Sequence, residues 1–188
     1  MEQINISRII AGREEEKTRD LYEKVMKTIS QEKRCEYEGN VDEVIRNMDK
    51  FSVIFMLTDE HEELLGVVVL RNLKDETEEL YTTYFPEIDE YGKQHKRYCT
   101  KERSLIADGL VLKNTDRSFV LLVLYECARN YAFTNGFNQF VGQIDWKDEE
   151  TLKVLDLISI KKLKVEFIFH PNYQGELIPT QFFLCDLV

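Results

Sequence analysis

The sequence contains no CxxC pair. Its four cysteines, Cys35, Cys99, Cys127 and Cys185, stand far apart. That spacing argues against a structural zinc module and suits a reducing compartment where all four remain thiols. Three histidines, His61, His95 and His170, show no metal-ligand spacing, so no metal is expected. No apolar run is long enough to span a bilayer. The opening MEQINISRII lacks the basic-then-apolar layout of a secretory signal, and a cytoplasmic protein is the expectation. Positive charge is scarce: 25 Lys and Arg against 35 Asp and Glu leave a formal net charge of −10. Nucleic-acid phosphates would be repelled, which excludes general nucleic-acid binding. Neither an internal repeat nor a linker is visible, and 188 residues suffice for one domain over 1–188 with its own core.

The cations that are present cluster. GKQHKRYCTKER (92–103) carries Lys93, Lys96, Arg97, Lys101 and Arg103 against Glu102 alone, five positive charges less one negative, or +4. An acidic run at 75–79 lies beside it. Such a patch can hold an anionic partner, or it can be a solvated loop. Cys99 follows several of these cations, which would lower its pKa, but no histidine is placed to activate it.

Hydrophobic spacing divides the chain into elements. INISRII (4–10) reads as a first strand. A helix is expected over 13–31 through Leu21, Val25, Met26 and Ile29, and a second from an Asn40–Asp42 cap to Met48. FSVIFMLT (51–58) and LLGVVVLRN (64–72) form an antiparallel hairpin apolar enough to be buried on both faces. Residues 73–101 are polar, aromatic and irregular, and a stretch of that length covers a site or moves over one. SLIADGLVLKN (104–114) is a strand with one acid, Asp108, near its middle. TDR (115–117) breaks it, and SFVLLVLYECARNYAFTN (118–135) is a helix stopped at Asn135 and Gly136. FNQFVGQ (137–143) is the next strand. A strand feeding a helix with outward first-turn amides, then a neighbouring strand, is a ready site for a phosphorylated ligand. A short amphipathic helix (145–159), a strand (162–170), a Pro- and Gly-rich turn (171–179) and a final strand (180–188) follow. The order β-α-α-β-β-β-α-β-α-β-β implies an α+β domain with a mixed sheet.

This order resembles the GNAT fold of N-acyltransferases over about residues 4–188. Within that clan the likeness is nearest to N-acyl amino acid synthases and acyl-homoserine-lactone (autoinducer) synthases. GVVVLR (66–71) is similar to a strand where that group has a Gly followed by an Arg. FPE (85–87) matches its Pro–acid step before a variable loop. The strand 104–113, polar turn and Arg117 resemble its Glu-x-Ser-Arg strand and following turn. HPNYQGELIPTQFFLCDL (170–187) is similar to a tail in which an aromatic, a Gly and a Pro precede the last apolar strand. The resemblance implies a GNAT-like mixed, mostly antiparallel sheet flanked by helices. It further implies transfer of an acyl group from a thioester donor, acyl-CoA or acyl-phosphopantetheine, to the amine of a small molecule.

The chain also departs from these patterns. GNAT acetyltransferases carry an Arg/Gln-x-x-Gly-x-Gly/Ala turn, and RSFVLL (117–122) has neither glycine. A Cβ there narrows the approach of backbone amides to a pyrophosphate. A carrier protein's phosphopantetheine has a single phosphodiester and demands less, and the patch at 92–103 could dock such an acidic carrier. Asp108-Gly109 stands in place of the polar core of Glu-x-Ser-Arg. Arg71 sits about two residues beyond its expected place, a shift that keeps the strand face.

Acyl transfer to an amine needs a base, a donor for the oxyanion and a proton for the leaving thiolate. Asp108 is the candidate base or amine holder, since burial in an apolar strand would raise its pKa. Equally it can be an acid in a bulge beside Gly109, satisfied by backbone amides. The stretch 109–112, including Leu110, Val111 and Leu112, would supply an amide for the thioester oxygen if the strand bulges. Arg117, with the first-turn residues Ser118, Phe119 and Val120, is the candidate phosphate contact, or a surface arginine. Tyr125 could protonate the thiolate or simply pack. Arg71 could hold a substrate carboxylate in a bidentate pair or cap a surface acid. Phe119, Leu122, Val123, Tyr131 and Phe133 could line an acyl tunnel or be plain core. Two other readings stay open: an acetyl-CoA dependent N-acetyltransferase, and a GNAT-fold binding module without catalysis.

Overall fold

The computed structural model describes residues 4–10, 27, 53–75, 85–111, 116–145, 149–171 and 177–187, and only the backbone at 86, 108–110, 143, 145, 164–171 and 177–181. The helices expected over 13–31 and 42–48 therefore lie outside the described residues, apart from Lys27, which is helical. The strands are β1 (Asn5–Ile10), β2 (Val53–Thr58), β3 (Leu64–Asn72), β4 (Phe85–Ile88), β5 (Gln94–Arg97), β6 (Ser104–Val111), β7 (Gln139–Asp145), β8 (Lys161–Pro171) and β9 (Leu177–Asp186). Two helices are described over their length, α1 (Arg117–Thr134) and α2 (Glu149–Ile158).

Among the described residues seven strands make one sheet in the order β1-β2-β3-β6-β7-β9-β8. Every neighbouring pair is antiparallel except β6 and β7, which run parallel because α1 crosses between them. The β2–β3 hairpin is buried along both faces, as its unbroken apolar sequence requires. Its turn is closed by Asp59, whose Oδ1 accepts from the backbone amides of His61 and Glu63, each at 2.8 Å.

Alternation sorts the sheet residues onto two faces. Val68, Leu70, Leu105, Ala107, Phe140, Phe183 and Cys185 pack with α1 and α2 in one cluster. Ile106, Val141, Phe182 and Leu184 pack on the other face with Leu73 and Phe85. Helix α1 presents Val120, Leu124, Ala128 and Ala132, with Leu121 and Tyr125 alongside, to the first face. Asp116 caps its start. Its end is a Schellman motif: Phe137 N donates to Ala132 O at 2.9 Å, Gly136 N donates to Phe133 O at 3.3 Å, and Gly136 takes φ +80°. Helix α2 buries Thr151, Val154, Leu155 and Ile158, a one-sided stripe.

The stretch 73–101, expected to be irregular, contains an ordered hairpin. β4 and β5 pair antiparallel as a separate two-stranded sheet. Asp89 closes its turn by accepting from Tyr91 N at 2.9 Å and Lys93 N at 2.8 Å, with Gly92 at φ +76°. Short polar strands escape a search for apolar runs, yet the Asp–Gly turn chemistry was present in the sequence. Phe85, 3% exposed, anchors this hairpin on the second face of the large sheet.

Candidate active site: a fork between two parallel strands

β6 and β7 pair over three positions only: Ser104 opposite Gln139, Leu105 opposite Phe140, Ile106 opposite Val141. Beyond these both strands continue but part. β6 stays with β3, as far as Val111 opposite Gly66. β7 stays with β9, as far as Asp145 opposite Thr180. Among the described residues no strand lies between the inner edges of 107–111 and 142–145. Backbone N–H and C=O groups facing such an edge require partners, so the fork is suited to an extended ligand that carries amides.

At the crotch of the fork stands Gly142. A Cβ there would lie 2.6 Å from Phe183 Cζ and 3.1 Å from the Ala107 carbonyl oxygen. The absence of a side chain is what lets β7 sit against both neighbours. A lone Gly inside an apolar strand pattern was the available signal for this close approach, and sequence reasoning passed over it.

Arg71 is 6% exposed and lies opposite Ile106, in the last cross-strand row before the fork opens. Asp108 lies opposite Val69, in the next row on the same face. The two are thus diagonal neighbours, a separation of roughly 7–8 Å. Leu110 lies opposite Val67, and Val111 completes the strand; Leu112 falls outside the described residues. From sequence, a bulge beside Gly109 is one of the readings open for Asp108 and the condition attached to an oxyanion amide. Instead β3 and β6 pair in register without a shift from Leu105 to Val111. The open backbone edge arises from the departure of β7, not from a bulge.

Tyr125 lies on the other face from position 108. Its side chain is 2% exposed and meets Phe140 edge-on, ring centroids 6.4 Å apart. The sheet therefore does not bring Asp108 and Tyr125 together. The stripe Phe119, Leu122, Val123, Tyr131 and Phe133 is not plain core along its length. Phe119 and Phe133 are exposed, and Leu122, Val123 and Tyr131 only flank the core face. The 3.6-residue period selects 120/124/128/132 as the buried line, one position over.

At the start of α1, the Asp116 carboxylate accepts from Phe119 N at 3.1 Å, and the Asp116 carbonyl accepts from Val120 N at 3.0 Å. Two amides that the sequence assigned to phosphate thus have acceptors within the chain, while Ser118 is exposed at the helix start. Arg117 turns toward α2: its Nε is 3.4 Å from Glu150 Oε2, and its Nη2 donates to Thr151 Oγ1 at 3.4 Å.

The closed end of the fork is polar. Ser104, Gln139, Asp186 and Lys161 form one row across four strands. Gln139 Nε2 donates to Asp186 Oδ1 at 3.0 Å, and its Oε1 accepts from Thr100 N at 3.1 Å and lies 2.9 Å from Ser104 Oγ. Ser104 is fully buried and Gln139 nearly so. The β4–β5 hairpin docks on this row. Arg97 Nη2 lies 2.8 Å and 2.7 Å from the two Asp186 oxygens, and Glu87 pairs with Lys161. That Lys161 hydrogen bond is the main reason the Glu87 carboxyl is held below its ordinary pKa. No sequence pattern marked these pairs, because their members lie 74 and 89 residues apart.

The pKa of Cys99 shifts opposite to expectation. Burial pushes its thiol up to about 11, and the nearby Arg97 charge offsets little of that. Cys185 is pushed up to about 12, again chiefly by burial. Neither is a ready nucleophile at neutral pH. Among the described residues no group of three or more His, Cys, Asp and Glu side chains is placed to hold a metal, and no helix is long and apolar enough to cross a membrane.

No family model matches the chain, and no curated protein matches its sequence. Solved structures match its fold. A probable acetyltransferase from Staphylococcus epidermidis is similar with a TM-score of 0.60 at 15% identity, covering 99% of this chain and 100% of that one. Spermidine N-acetyltransferase from Vibrio cholerae, in complex with CoA and spermine, gives 0.57 at 10% identity, over 98% and 96%. An acetyltransferase of the GNAT family from Streptococcus pneumoniae gives 0.57 at 6% identity, over 99% and 100%. The chain has the GNAT-like α+β fold, with a mixed, mostly antiparallel sheet flanked by helices.

Proposed function

We propose that this protein is an N-acyltransferase that moves an acyl group from a thioester donor to the amine of a small molecule. The observation that carries this reading is the fork. An amide-bearing donor arm laid between β6 and β7 would satisfy the two inner backbone edges as an added strand does. Its thioester would then lie near the crotch, beside the face that holds positions 71 and 108. The amine nitrogen attacks the thioester carbonyl carbon, the carbon–sulfur bond breaks, and an amide and a free thiol result. Asp108 takes the proton released by the amine, directly or through water, and gives it up to solvent, from which the leaving thiolate takes one to become the thiol. A backbone N–H within 109–111 is the oxyanion donor. Arg71 holds an anionic group of the acceptor. Tyr125, sealed in the core on the other face, packs the helix in this reading rather than meeting the thiolate.

The preferred donor is acyl-CoA, with Arg117 and Ser118 at its phosphates, and the bound CoA named for the Vibrio cholerae enzyme favours it. The likeness to N-acyl amino acid and autoinducer synthases, and the single phosphodiester that the missing glycines suit, favour a longer acyl chain or a carrier-protein donor. A carrier docking at 92–103 would meet Lys93, Lys96, Lys101 and Arg103, with Arg97 turned inward to Asp186. Thioester chemistry and the free thiols Cys99, Cys127 and Cys185 suit the cytoplasm.

Thermal denaturation with CoA, acetyl-CoA, a long-chain acyl-CoA and an acylated carrier protein tests the reading. A donor at 100 times its dissociation constant adds about 2.7 kcal/mol, which raises Tm by roughly 5–11 °C for a chain of this size. Absence of a shift with every donor overturns the enzyme reading and leaves a binding module. Where a donor binds, Asp108→Asn lowers turnover while Tm holds. Unchanged turnover removes Asp108 from the chemistry.

A further inference from the structure

The β6–β7 pairing is three residues long, and its first row is held by the hydrogen bond between Ser104 and Gln139 across the two strands and by side chains from outside them. Gln139 ties β7 to Asp186 of β9 and to the segment leading into β6. Asp186 is gripped in turn by Arg97, which belongs to the inserted β4–β5 hairpin. Glu87, on the other strand of that hairpin, pairs with Lys161 in the same row and lies 3.8 Å from Arg97 Nη1. Cations and anions thus alternate through Lys161, Glu87, Arg97 and Asp186. The Asp186 carboxylate is only 13% exposed and the Arg97 side chain 32%, so solvent screens this pair less than a surface contact. One row further on, Phe85 shares a buried cluster with Ile106 and Val141, the last residues to pair before the fork opens. The hairpin therefore grips the closed end of the fork by charge in one row and by apolar contact in the next.

We propose that Arg97 is a positioning residue: through Asp186 and Gln139 it holds the short parallel pairing of β6 and β7, and so sets the width of the fork in which the donor lies. Its role in transfer rests on the acyltransferase reading, whereas its hold on the strands does not. Residue-resolved hydrogen exchange on the full chain separates the two. In Arg97→Gln the amides at 105–106 and 140–141 exchange about 10- to 100-fold faster, the loss expected when a charge-assisted hydrogen bond opens a local segment. The β2–β3 amides keep their wild-type protection, and Arg97→Lys recovers part of the lost protection. Lys161→Met loosens the hairpin from its other tie and gives the same local pattern at smaller amplitude. Unchanged exchange at the paired stretch, or acceleration spread evenly over the sheet, overturns the proposal in either variant. In the transfer assay Arg97→Gln lowers kcat about 10- to 100-fold, as misplacing reacting groups does, while the acceptor KM stays near the wild-type value. A KM change without a kcat change overturns the positioning role. A wild type that binds no donor would remove the acyltransferase reading, and the exchange experiment would still decide the clamp.

Discussion

Replacing Gly142 by Ala tests the fork geometry most directly. The added Cβ lies 2.6 Å from Phe183 Cζ and 2.8 Å from Phe183 Cε1, where ordinary contact begins near 3.4 Å. The ring must retreat by about 0.8 Å, the difference between 3.4 and 2.6. Phe183 is 1% exposed and packed within the α1-side core, so it has little room to move. Moving β7 the other way is blocked by the Ala107 carbonyl oxygen, already 3.1 Å from the new atom. Overpacking of this kind costs about 1–3 kcal/mol. For a chain of this length that lowers Tm by roughly 2–12 °C. Thermal denaturation of the wild type, Gly142→Ala, Phe183→Leu and the double variant measures it. Phe183→Leu opens a space at the point of conflict, so the double variant loses less than the two single losses combined, by about 0.5 kcal/mol or more. A Gly142→Ala protein as stable as the wild type, or strict additivity in the double variant, would refute the placement of β7 against Phe183 at the crotch.

Two further outcomes concern pH and thiol chemistry. The folded-state pKa of Glu87 lies below its ordinary 4.5, chiefly because Lys161 hydrogen-bonds its carboxylate. The linked stability is therefore fully present above pH 4.5 and is lost as pH falls through the lower folded value. Acid titration of Glu87→Gln should show a shallower loss of stability in that window than the wild type, and identical titrations would exclude the Glu87 contribution. Burial raises the thiol of Cys99 to about 11 and of Cys185 to about 12. Peptide-resolved alkylation near pH 8 should leave both largely unmodified until the protein is denatured; fast labelling of folded Cys99 would show that the basic run governs it after all.

Much of the fold was legible because its signals are local. Unbroken apolar runs marked β2 and β3, the Asn135-Gly136 pair marked the end of α1, and the order of elements was enough to imply the mixed sheet. The β4–β5 hairpin was missed because β5, Gln-His-Lys-Arg, carries no apolar alternation, and its only signal was the turn at Asp89 and Gly92. Cys99 was misjudged because sequence shows the charges beside a thiol but not its burial. Desolvation outweighs the one cation that reaches it.

The sequence by itself determined the apolar strands β2, β3, β6 and β9 and the helices α1 and α2, since the period of side-chain burial is a property of neighbouring residues. It also placed Asp108 in the strand that became one arm of the fork. Only the tertiary structure decided that β6 and β7 part after Ile106 and Val141, that Arg71 and Asp108 share a face while Tyr125 lies on the other, and that Arg97 turns inward to Asp186. Each of these depends on which strand lies beside which across many intervening residues, and the hydrogen bonds and ion pairs that settle it exist only once the chain has closed on itself.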